Sequence, residues 1–226
     1  MRIGIIGAKG LVGSAIFNRL KDEHYVVAIT RQSYPRHIGA EYDVLINANG
    51  NSRKYWANQN PLEDYDLSVS SVMSSLFDFK YKKYIFISSI DAEEPRGHYG
   101  FNKRIAEDLV KQYADKWQIV RLCSVIGINM KKGPVYDILH GLPVYLTSGS
   151  TLQLIMDTEV AQQIAEQMNF GGTLMTRLYP QPIYVRDIGG ILGRLARISP
   201  EAHEEIYKFR GMEGLKTSEQ YLMQIT

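Results

Sequence analysis

The chain has 226 residues, of which 45% are apolar and 22% are charged, and its 26 basic and 24 acidic side chains leave a formal charge of +2. This composition excludes a disordered protein, and the near balance of charge gives no broad footprint for a nucleic-acid partner. A chain of this length can bury about 70% of its unfolded surface without disulfides, so we expect one globular domain, or one with a small appendage.

The first predicted strand, Arg2–Ile6, leads into a glycine-rich turn. The turn reads Gly-Ala-Lys-Gly-Leu-Val-Gly over residues 7–13 and is followed by a predicted helix, Ser14–Leu20. In this order, glycines let the backbone approach a pyrophosphate, which also meets the positive end of the helix dipole. The turn therefore predicts dinucleotide binding. The predicted contacts are Gly7, Lys9, Gly10, Leu11, Val12 and Gly13.

The second predicted strand, Tyr25–Ile29, ends without an acidic residue. Sites for NAD usually have a carboxylate there that binds the ribose hydroxyls, whereas this chain has Thr30 and Arg31. Arg31, together with Lys9, can pair with the 2′-phosphate of NADP. We predict NADP as the cofactor and leave NAD open. The alternative interpretation of the two basic residues is a pair of solvated surface cations.

Three further strands are predicted, with one long helix among them. The strands are Asp43–Asn47, Lys83–Ile87 and Gln118–Leu122. The helix, Pro61–Phe79, has an apolar face predicted to pack on the sheet, formed by Tyr65, Val69, Val72, Met73 and Leu76. Strands that alternate with helices predict an α/β fold, a Rossmann-type doubly wound parallel sheet.

Basic and aromatic residues alternate in Lys80–Tyr84, between this helix and the next strand. Such a pattern could serve a nucleic-acid site, but its place at the amino edge of the sheet favours a solvated turn. We expect no nucleic-acid partner.

Tyr99 and Lys103 lie one helical turn apart at the start of a predicted helix that runs to Lys116. Both side chains therefore face the same way. We predict that the ammonium lowers the pKa of the phenol from about 10 toward neutrality, which makes Tyr99 an acid or base. Ser88 and Ser89 end the fourth strand, at the edge where open α/β sheets bind ligands, and Ser89 could hydrogen-bond a substrate carbonyl.

These motifs resemble the short-chain dehydrogenase/reductase superfamily, in its extended branch of nucleotide-sugar epimerases, dehydratases and reductases. The resemblance lies in the first half of the chain. It rests on the glycine turn, Asp43–Asn47 with Ala48, Phe86–Ser89, Tyr99 with Lys103, and Arg121 followed by Val125–Gly127.

The resemblance implies three catalytic roles. Ser89 would polarise the substrate carbonyl, Tyr99 would be the acid or base, and Lys103 would tune Tyr99 and hold the nicotinamide ribose. Only Thr30–Tyr42 separates the second strand from the third, so the helix and strand that the family usually has there cannot both be present. The further cofactor contacts expected from position are Thr30, Asn47, Ala48, Asn49 and Ser88.

Beyond Gly127, glycine and proline residues punctuate shorter elements. We predict a dinucleotide-binding domain over 1–128 and a small irregular substrate-side lobe over 129–226, packed on the first domain as one compact unit. The elements expected in the lobe are helices Asp157–Asn169 and Val185–Arg197, a strand Ile206–Phe209 and a last helix from Ser218.

Together these features predict an NAD(P)-dependent oxidoreductase or isomerase that acts on a carbonyl or secondary alcohol. The resemblance implies a nucleotide-linked sugar as substrate. Reductase, epimerase and dehydratase stay open, because each begins with the same hydride transfer. The alternative is a non-catalytic NADP-binding or redox-sensing protein on the same fold. Without histidine and cysteine at ligand spacing we expect no metal, and a homodimer is one assembly open to the chain.

The compartment and the absence of a membrane partner follow from simple counts. The longest apolar runs, such as Ile3–Gly7, have strand length, whereas a membrane span needs about 20 residues. Cys123 is the single cysteine, and the residues after Met1 do not have the pattern of an export signal. We expect a cytoplasmic protein.

Overall fold

A computed structural model describes residues 1–127, 129–140, 142, 146, 149–178 and 183–184. It divides into two compact units. The first contains residues 1–123 and 157–179, and the second contains residues 124–156 with a later part of the chain that is described only at 183–184. The predicted boundary after residue 128 stays a prediction, and the structure adds that the segment from Asp157 packs with the first unit.

The elements follow one another in a regular α/β order. The strands are β1 Arg2–Ile6, β2 Tyr25–Ile29, β3 Glu41–Asn47, β4 Lys80–Ser89, β5 Trp117–Leu122, β6 Ser124–Ile126, β7 Thr151–Leu152, β8 Leu154–Met156, β9 Leu174–Leu178 and β10 Ile183–Tyr184. The helices are α1 Leu11–Leu20, α2 Lys54–Gln59, α3 Pro61–Tyr65, α4 Ser71–Asp78, α5 Gly97–Tyr113, α6 Pro134–Leu139 and α7 Asp157–Gln167.

The first unit is built on a six-stranded parallel sheet with the order β2-β1-β3-β4-β5-β9. The chain moves from β1 to β2 in one direction and from β3 to β5 in the other. Right-handed crossovers therefore place α1 and α4 on opposite faces of the sheet. The predicted doubly wound Rossmann-type sheet and its five predicted strands are confirmed, whereas β9 was not predicted.

The central strands are buried because both faces of the sheet are covered. Leu45, Phe86 and Ile119, from three neighbouring strands, are fully buried, and Val110 of α5 packs with them. Each such side chain stabilises the fold by about 1.5–3 kcal/mol relative to its exposed state. Between β2 and β3 the chain forms only a short 3-10 turn, Tyr34–His37, which confirms that a helix and a strand are not both inserted there.

The predicted helix Pro61–Phe79 is present as α3 and α4, which are joined by a π-helical turn, Asp66–Ser70. Val69, Val72 and Leu76 are buried as predicted. Tyr65, however, is 44% exposed, and the fully buried position one residue earlier is taken by a carboxylate, Asp64. The predicted apolar face was therefore wrong at its amino-terminal end.

The predicted solvated turn Lys80–Tyr84 was also wrong, because these residues open strand β4. Lys83 is only 5% exposed. Its ammonium donates to the carbonyls of Gln167 at 3.4 Å, Met168 at 3.2 Å and Phe170 at 2.9 Å, at the end of α7. The last carbonyls of a helix lack intrahelical donors and form the negative end of its dipole, so they can hold a buried cation.

Within its described residues, the second unit contains two small strand pairs and α6. Strand β6 pairs with β8 in parallel, and β7 pairs with β10 in antiparallel orientation. The predicted helix Val185–Arg197, strand Ile206–Phe209 and helix from Ser218 lie outside the described residues. In the part of the chain that the structure describes, no helix has both the length and the apolar character to cross a membrane.

Candidate functional site

The glycine turn lies where the strand order reverses, between the carboxyl ends of β1 and β3. Gly7 has a φ of +80°, and a Cβ at this position would lie 2.8 Å from the carbonyl oxygen of Ala48. The amide of Ala48 in turn donates to Ile6 at 2.9 Å. The fold thus brings Gly7 together with Ala48 and Asn49, at the switch point where open α/β sheets bind ligands.

The turn also presents the amino end of α1. A Cβ on Gly13 would overlap the carbonyl oxygen of Gly7, so only glycine lets the first turn of the helix pack this closely. The amide of Ser14 makes the first intrahelical bond, to Gly10, at 2.8 Å. The amides that precede it, including Leu11 and Val12, are those that a helix leaves without intrahelical acceptors. A turn with glycine at positions 7, 10 and 13, next to the amides at the start of a helix, fits the pyrophosphate of a dinucleotide.

The end of β2 forms a compact polar turn. Thr30 and Ser33 hold it through their main chains and hydroxyls, with the Thr30 amide donating to the Ser33 hydroxyl at 2.9 Å. Arg31, inside this turn, and Lys9, in the glycine turn, are both exposed. The structure thus places these two cations at the carboxyl edge of neighbouring strands.

The buried side chain of Asn47 holds the segment that follows β3 through hydrogen bonds. It is 1% exposed, and its amide group donates to the Ser75 hydroxyl at 3.1 Å and to the Tyr84 hydroxyl at 2.8 Å. Its carbonyl oxygen accepts from the amide of Asn49 at 2.9 Å. The side chain of Asn47 therefore shapes the Ala48–Asn49 segment, and a cofactor contact by Asn47 would come from its main chain.

Ser88 points away from the other site residues. Its hydroxyl donates to the buried carboxylate of Glu107 at 2.6 Å. Glu107 also receives both arms of the Arg121 guanidinium, at 2.9 and 2.8 Å. Successive side chains of a strand alternate between its faces, which explains why Ser88 and Ser89 have different neighbours. A cofactor contact by Ser88 would also have to come from its main chain.

Ser89, Tyr99 and Lys103 are brought together at the end of β4 and the start of α5. The Ser89 hydroxyl donates to the carboxylate of Asp91 at 2.7 Å, and Ser89 lies near enough to Tyr99 to lower the pKa of its phenol. Lys103 is buried at 5% exposure, and its ammonium donates to the carbonyl of Ile87 at 3.4 Å. A Cβ on Gly50, which has a φ of +130°, would lie 3.3 Å from this ammonium. Lys103 thus reaches the segment that follows β3.

The pKa of Tyr99 differs from the sequence-based expectation. This pKa is raised from 10.0 to about 12, and burial is the largest cause. A hydrogen bond with Ser89 lowers it, and the nearby carboxylates of Asp91 and Asp64 raise it by less. The expected lowering toward neutrality by Lys103 is therefore wrong for the protein without ligands. Burial also lowers the pKa of Lys103 to about 8, against an opposite effect of Asp64 and Glu107.

A buried carboxylate near the candidate site, that of Asp64, was not identified from the sequence. Asp64 is fully buried and accepts from Asn51 at 2.7 Å, Ser68 at 3.3 Å and Asn102 at 2.7 Å. These donors satisfy a charge that would be costly if left unpaired. The available signal was the helical spacing of Asp64 and Ser68 within a segment predicted to pack one face on the sheet.

No family model and no curated protein sequence matches the chain. Solved structures do match. dTDP-4-dehydrorhamnose reductase from Clostridium acetobutylicum has a TM-score of 0.71 and 17% sequence identity, over 88% of this chain and 81% of that one. The chain has the fold of this enzyme.

Two further solved structures share the same architecture. UDP-glucose 4-epimerase from Thermotoga maritima, solved with UDP-glucose, has a TM-score of 0.68 and 16% identity, over 86% of this chain and 82% of that one. MoeE5, solved with UDP-glucuronic acid and NAD, has a TM-score of 0.72 and 15% identity, over 83% of this chain and 80% of that one. The resemblance inferred from the motifs is therefore confirmed as a likeness of fold.

Proposed function

We propose that the protein is an NADP-dependent oxidoreductase or isomerase that acts on a carbonyl or secondary alcohol of a nucleotide-linked sugar. The observation that carries the proposal is the grouping of Ser89, Tyr99 and Lys103 beside the segment that follows β3, on the same sheet edge as the glycine turn. Solved enzymes with this fold include a sugar-nucleotide reductase and an epimerase, which supports this class of substrate.

Different residues would bind different parts of the cofactor. The main chain of Gly7, Gly10 and Gly13 would receive the pyrophosphate, Arg31 with Lys9 the 2′-phosphate, and Lys103 the ribose. Thr30 and the Ala48–Asn49 segment line the same edge and would complete the cofactor contacts. When bound, the cofactor supplies or accepts the hydride.

The protonation states favour the direction of reduction. With a pKa of about 12, Tyr99 carries its proton at neutral pH and is ready to act as a general acid toward a substrate oxygen. Lys103, with a pKa of about 8, is mostly charged at the same pH and can stabilise the phenolate that forms. The Ser89 hydroxyl, which donates to Asp91, would turn to donate to the substrate oxygen instead, and that hydrogen bond would strengthen as charge develops there.

The test is a comparison of Tyr99→Phe with the parent protein on a panel of nucleotide-linked 4-keto sugars with NADPH. The variant keeps the ring but removes the transferable proton, so turnover should fall by about 100-fold or more while NADPH affinity is kept. Tyr113→Phe, on the same helix but 46% exposed, is the matched control and should behave like the parent. Undiminished turnover in Tyr99→Phe would contradict the proposal.

Cofactor binding without turnover of any sugar on the panel would instead favour the non-catalytic alternative. We propose that the enzyme is a homodimer in the cytoplasm. Light scattering after size-exclusion chromatography measures the mass of the assembly.

A further inference from the structure

Asp64 connects three segments of the chain that meet around Lys103. Its Oδ1 atom accepts from the side-chain amide of Asn51 at 2.7 Å and from the hydroxyl of Ser68 at 3.3 Å, and its Oδ2 atom accepts from the side-chain amide of Asn102 at 2.7 Å. The first donor follows β3, the second lies in the π-helical turn, and the third lies on α5. One buried carboxylate therefore ties together three elements of the candidate site.

The neighbours of these donors in the chain lie around the Lys103 ammonium. Gly50 precedes the first donor, and a Cβ there would lie 3.3 Å from the ammonium and 3.7 Å from the carbonyl oxygen of Leu67, which precedes the second donor. The third donor, Asn102, directly precedes Lys103. The hydrogen bonds of Asp64 thus hold in place the backbone that surrounds the ammonium.

Within the described residues, the ammonium of Lys103 is in contact with neutral groups. It donates to the Ile87 carbonyl at 3.4 Å and lies 5.2 Å from the centre of the Phe86 ring. Tyr99, one helical turn earlier on α5, is uncharged at neutral pH because its pKa is about 12. Burial disfavours a charge that has only neutral contacts, so the protonation of Lys103 depends on nearby carboxylates.

Asp64 differs from the other carboxylates near the site in the charge of its partners. Glu107, one helical turn beyond Lys103, pairs with the Arg121 guanidinium at 2.8 Å, and Asp91 pairs with a lysine of α2 at 2.7 Å. The amides and the hydroxyl that donate to Asp64 are neutral, so they satisfy its oxygens without cancelling its charge. Asp64 and, to a smaller extent, Glu107 raise the pKa of Lys103 against the lowering by burial.

We propose that Asp64 is a positioning residue that keeps Lys103 charged and holds its ammonium against the segment that follows β3. The proposal rests on the proposed function, in which Lys103 binds the ribose and stabilises the phenolate of Tyr99. Both tasks need a charged ammonium at a fixed place. The charge of Lys103 can be measured without cofactor or substrate, so the two proposals can fail separately.

Nuclear magnetic resonance of labelled lysine tests the role of Asp64 in the ligand-free protein. Lysine with 13C at the carbon that bears the ammonium changes its chemical shift on deprotonation, and the Lys103 line is assigned by its loss in Lys103→Met. The pKa of Lys103 should be about 8 in the parent. Asp64→Asn keeps the shape of the side chain and removes its charge, so the proton dissociation constant of Lys103 should rise by about tenfold, which lowers its pKa.

Two further variants separate the charge of Asp64 from its packing. Ser68→Ala removes one hydrogen bond from the same carboxylate but leaves its charge, so the pKa of Lys103 should stay at about 8. The double variant Asp64→Asn with Asn102→Asp returns a carboxylate to the buried pair, and the pKa of Lys103 should return to about 8 or above. Asp64→Ser is the second neutral variant if Asp64→Asn does not fold.

A lower pKa of Lys103 in the neutral variant, with recovery in the double variant, supports the role of Asp64. An unchanged pKa in the neutral variant, an equal fall in Ser68→Ala, or no recovery in the double variant overturns it, because packing and not charge would then be the contribution of Asp64. A parent protein that binds neither NADPH nor NADH would contradict the proposed function and leave the effect of Asp64 on Lys103 standing.

Discussion

Tyr99 shows how burial can outweigh a neighbouring charge. The sequence places Lys103 one helical turn away, which by itself would lower the phenol pKa. In the folded chain that pKa is raised to about 12, mainly by desolvation, which outweighs the lowering by a hydrogen bond with Ser89. The spacing of the two residues was readable from the sequence, but the desolvation was not, because it depends on which other elements pack around the ring.

Asp64 and Asn102 form a buried hydrogen-bonded pair in which Asp64 is the acceptor and Asn102 is the donor. The Asn102 amide donates to the Asp64 carboxylate at 2.7 Å, and both residues are buried. Asn102→Asp would set two carboxylates side by side, and we expect it to lower the free energy of unfolding at pH 7 by about 3–5 kcal/mol, as an uncompensated buried charge does. Urea denaturation measures this cost.

The same pair offers a rescue as a control. Adding Asp64→Asn to Asn102→Asp exchanges donor and acceptor while leaving an oxygen at position 64 for Asn51 and Ser68. We expect most of the lost stability to return, so the two changes are strongly non-additive. Additive costs in the double variant would show that the pair does not interact as described.

The buried ammonium of Lys103 makes stability depend on pH. Its pKa is about 8 in the folded protein and 10.5 when unperturbed, so between these values the unfolded chain binds more protons. The penalty of burying this charge is therefore complete below about pH 8 and disappears as the pH rises toward 10.5.

The shift implies that the stability of Lys103→Met relative to the parent falls by about 3 kcal/mol between pH 7 and pH 10.5. Urea denaturation at both pH values checks the direction and the size. A difference that is constant with pH would contradict the assigned pKa.

Among the secondary-structure elements, helix α7 is held at its carboxyl end by a lysine side chain from strand β4. Lys83 donates to three carbonyls at the carboxyl end of this helix, and burial lowers its pKa. Lys83→Met removes the donor and leaves these carbonyls without it, which should lower the free energy of unfolding by about 1–3 kcal/mol. Hydrogen exchange should show faster opening of the last turn of α7.

Lys82→Met is the matched control for this element. The Lys82 side chain is 73% exposed and pairs with Asp43 at 2.7 Å, so solvent screens the pair and its loss should lower the free energy of unfolding much less than the loss of Lys83. Equal effects of the two substitutions would mean that the contacts of Lys83 with α7 do not stabilise the fold.

The elements differ in how far they could be predicted. Strands such as β1 and β2 are short runs rich in β-branched residues, and their predicted bounds agree with the structure at every residue. Strand β9, Leu174–Leu178, has mixed polarity and follows paired glycines, so its place beside β5 depends on tertiary packing. The strand alternation of Ser88 and Ser89 was available from the sequence, whereas Glu107 as the partner of Ser88 was not.

At the scale of the whole molecule, the order of the strands decides where the site forms. Because β2 and β3 lie on opposite sides of β1, the glycine turn and the Ala48–Asn49 segment meet at the carboxyl edge of the sheet. Helix α5, which follows β4, adds Tyr99 and Lys103 beside them. The motifs in the sequence were sufficient to predict this grouping. The supporting residues Asp64 and Asp91 could be identified only once the helices were in place.

Fluorescence titration of the protein with NADPH and with NADH tests the central claim most directly. We predict that NADPH binds saturably and more tightly than NADH. Arg31→Ala should reduce this preference by about 10-fold, because one charge-assisted contact contributes about that factor to an affinity. Lys116→Ala, an exposed cation before β5 at the opposite edge of the sheet, should leave the preference unchanged. Failure to bind either nucleotide, or NADH binding as tightly as NADPH, would contradict the account.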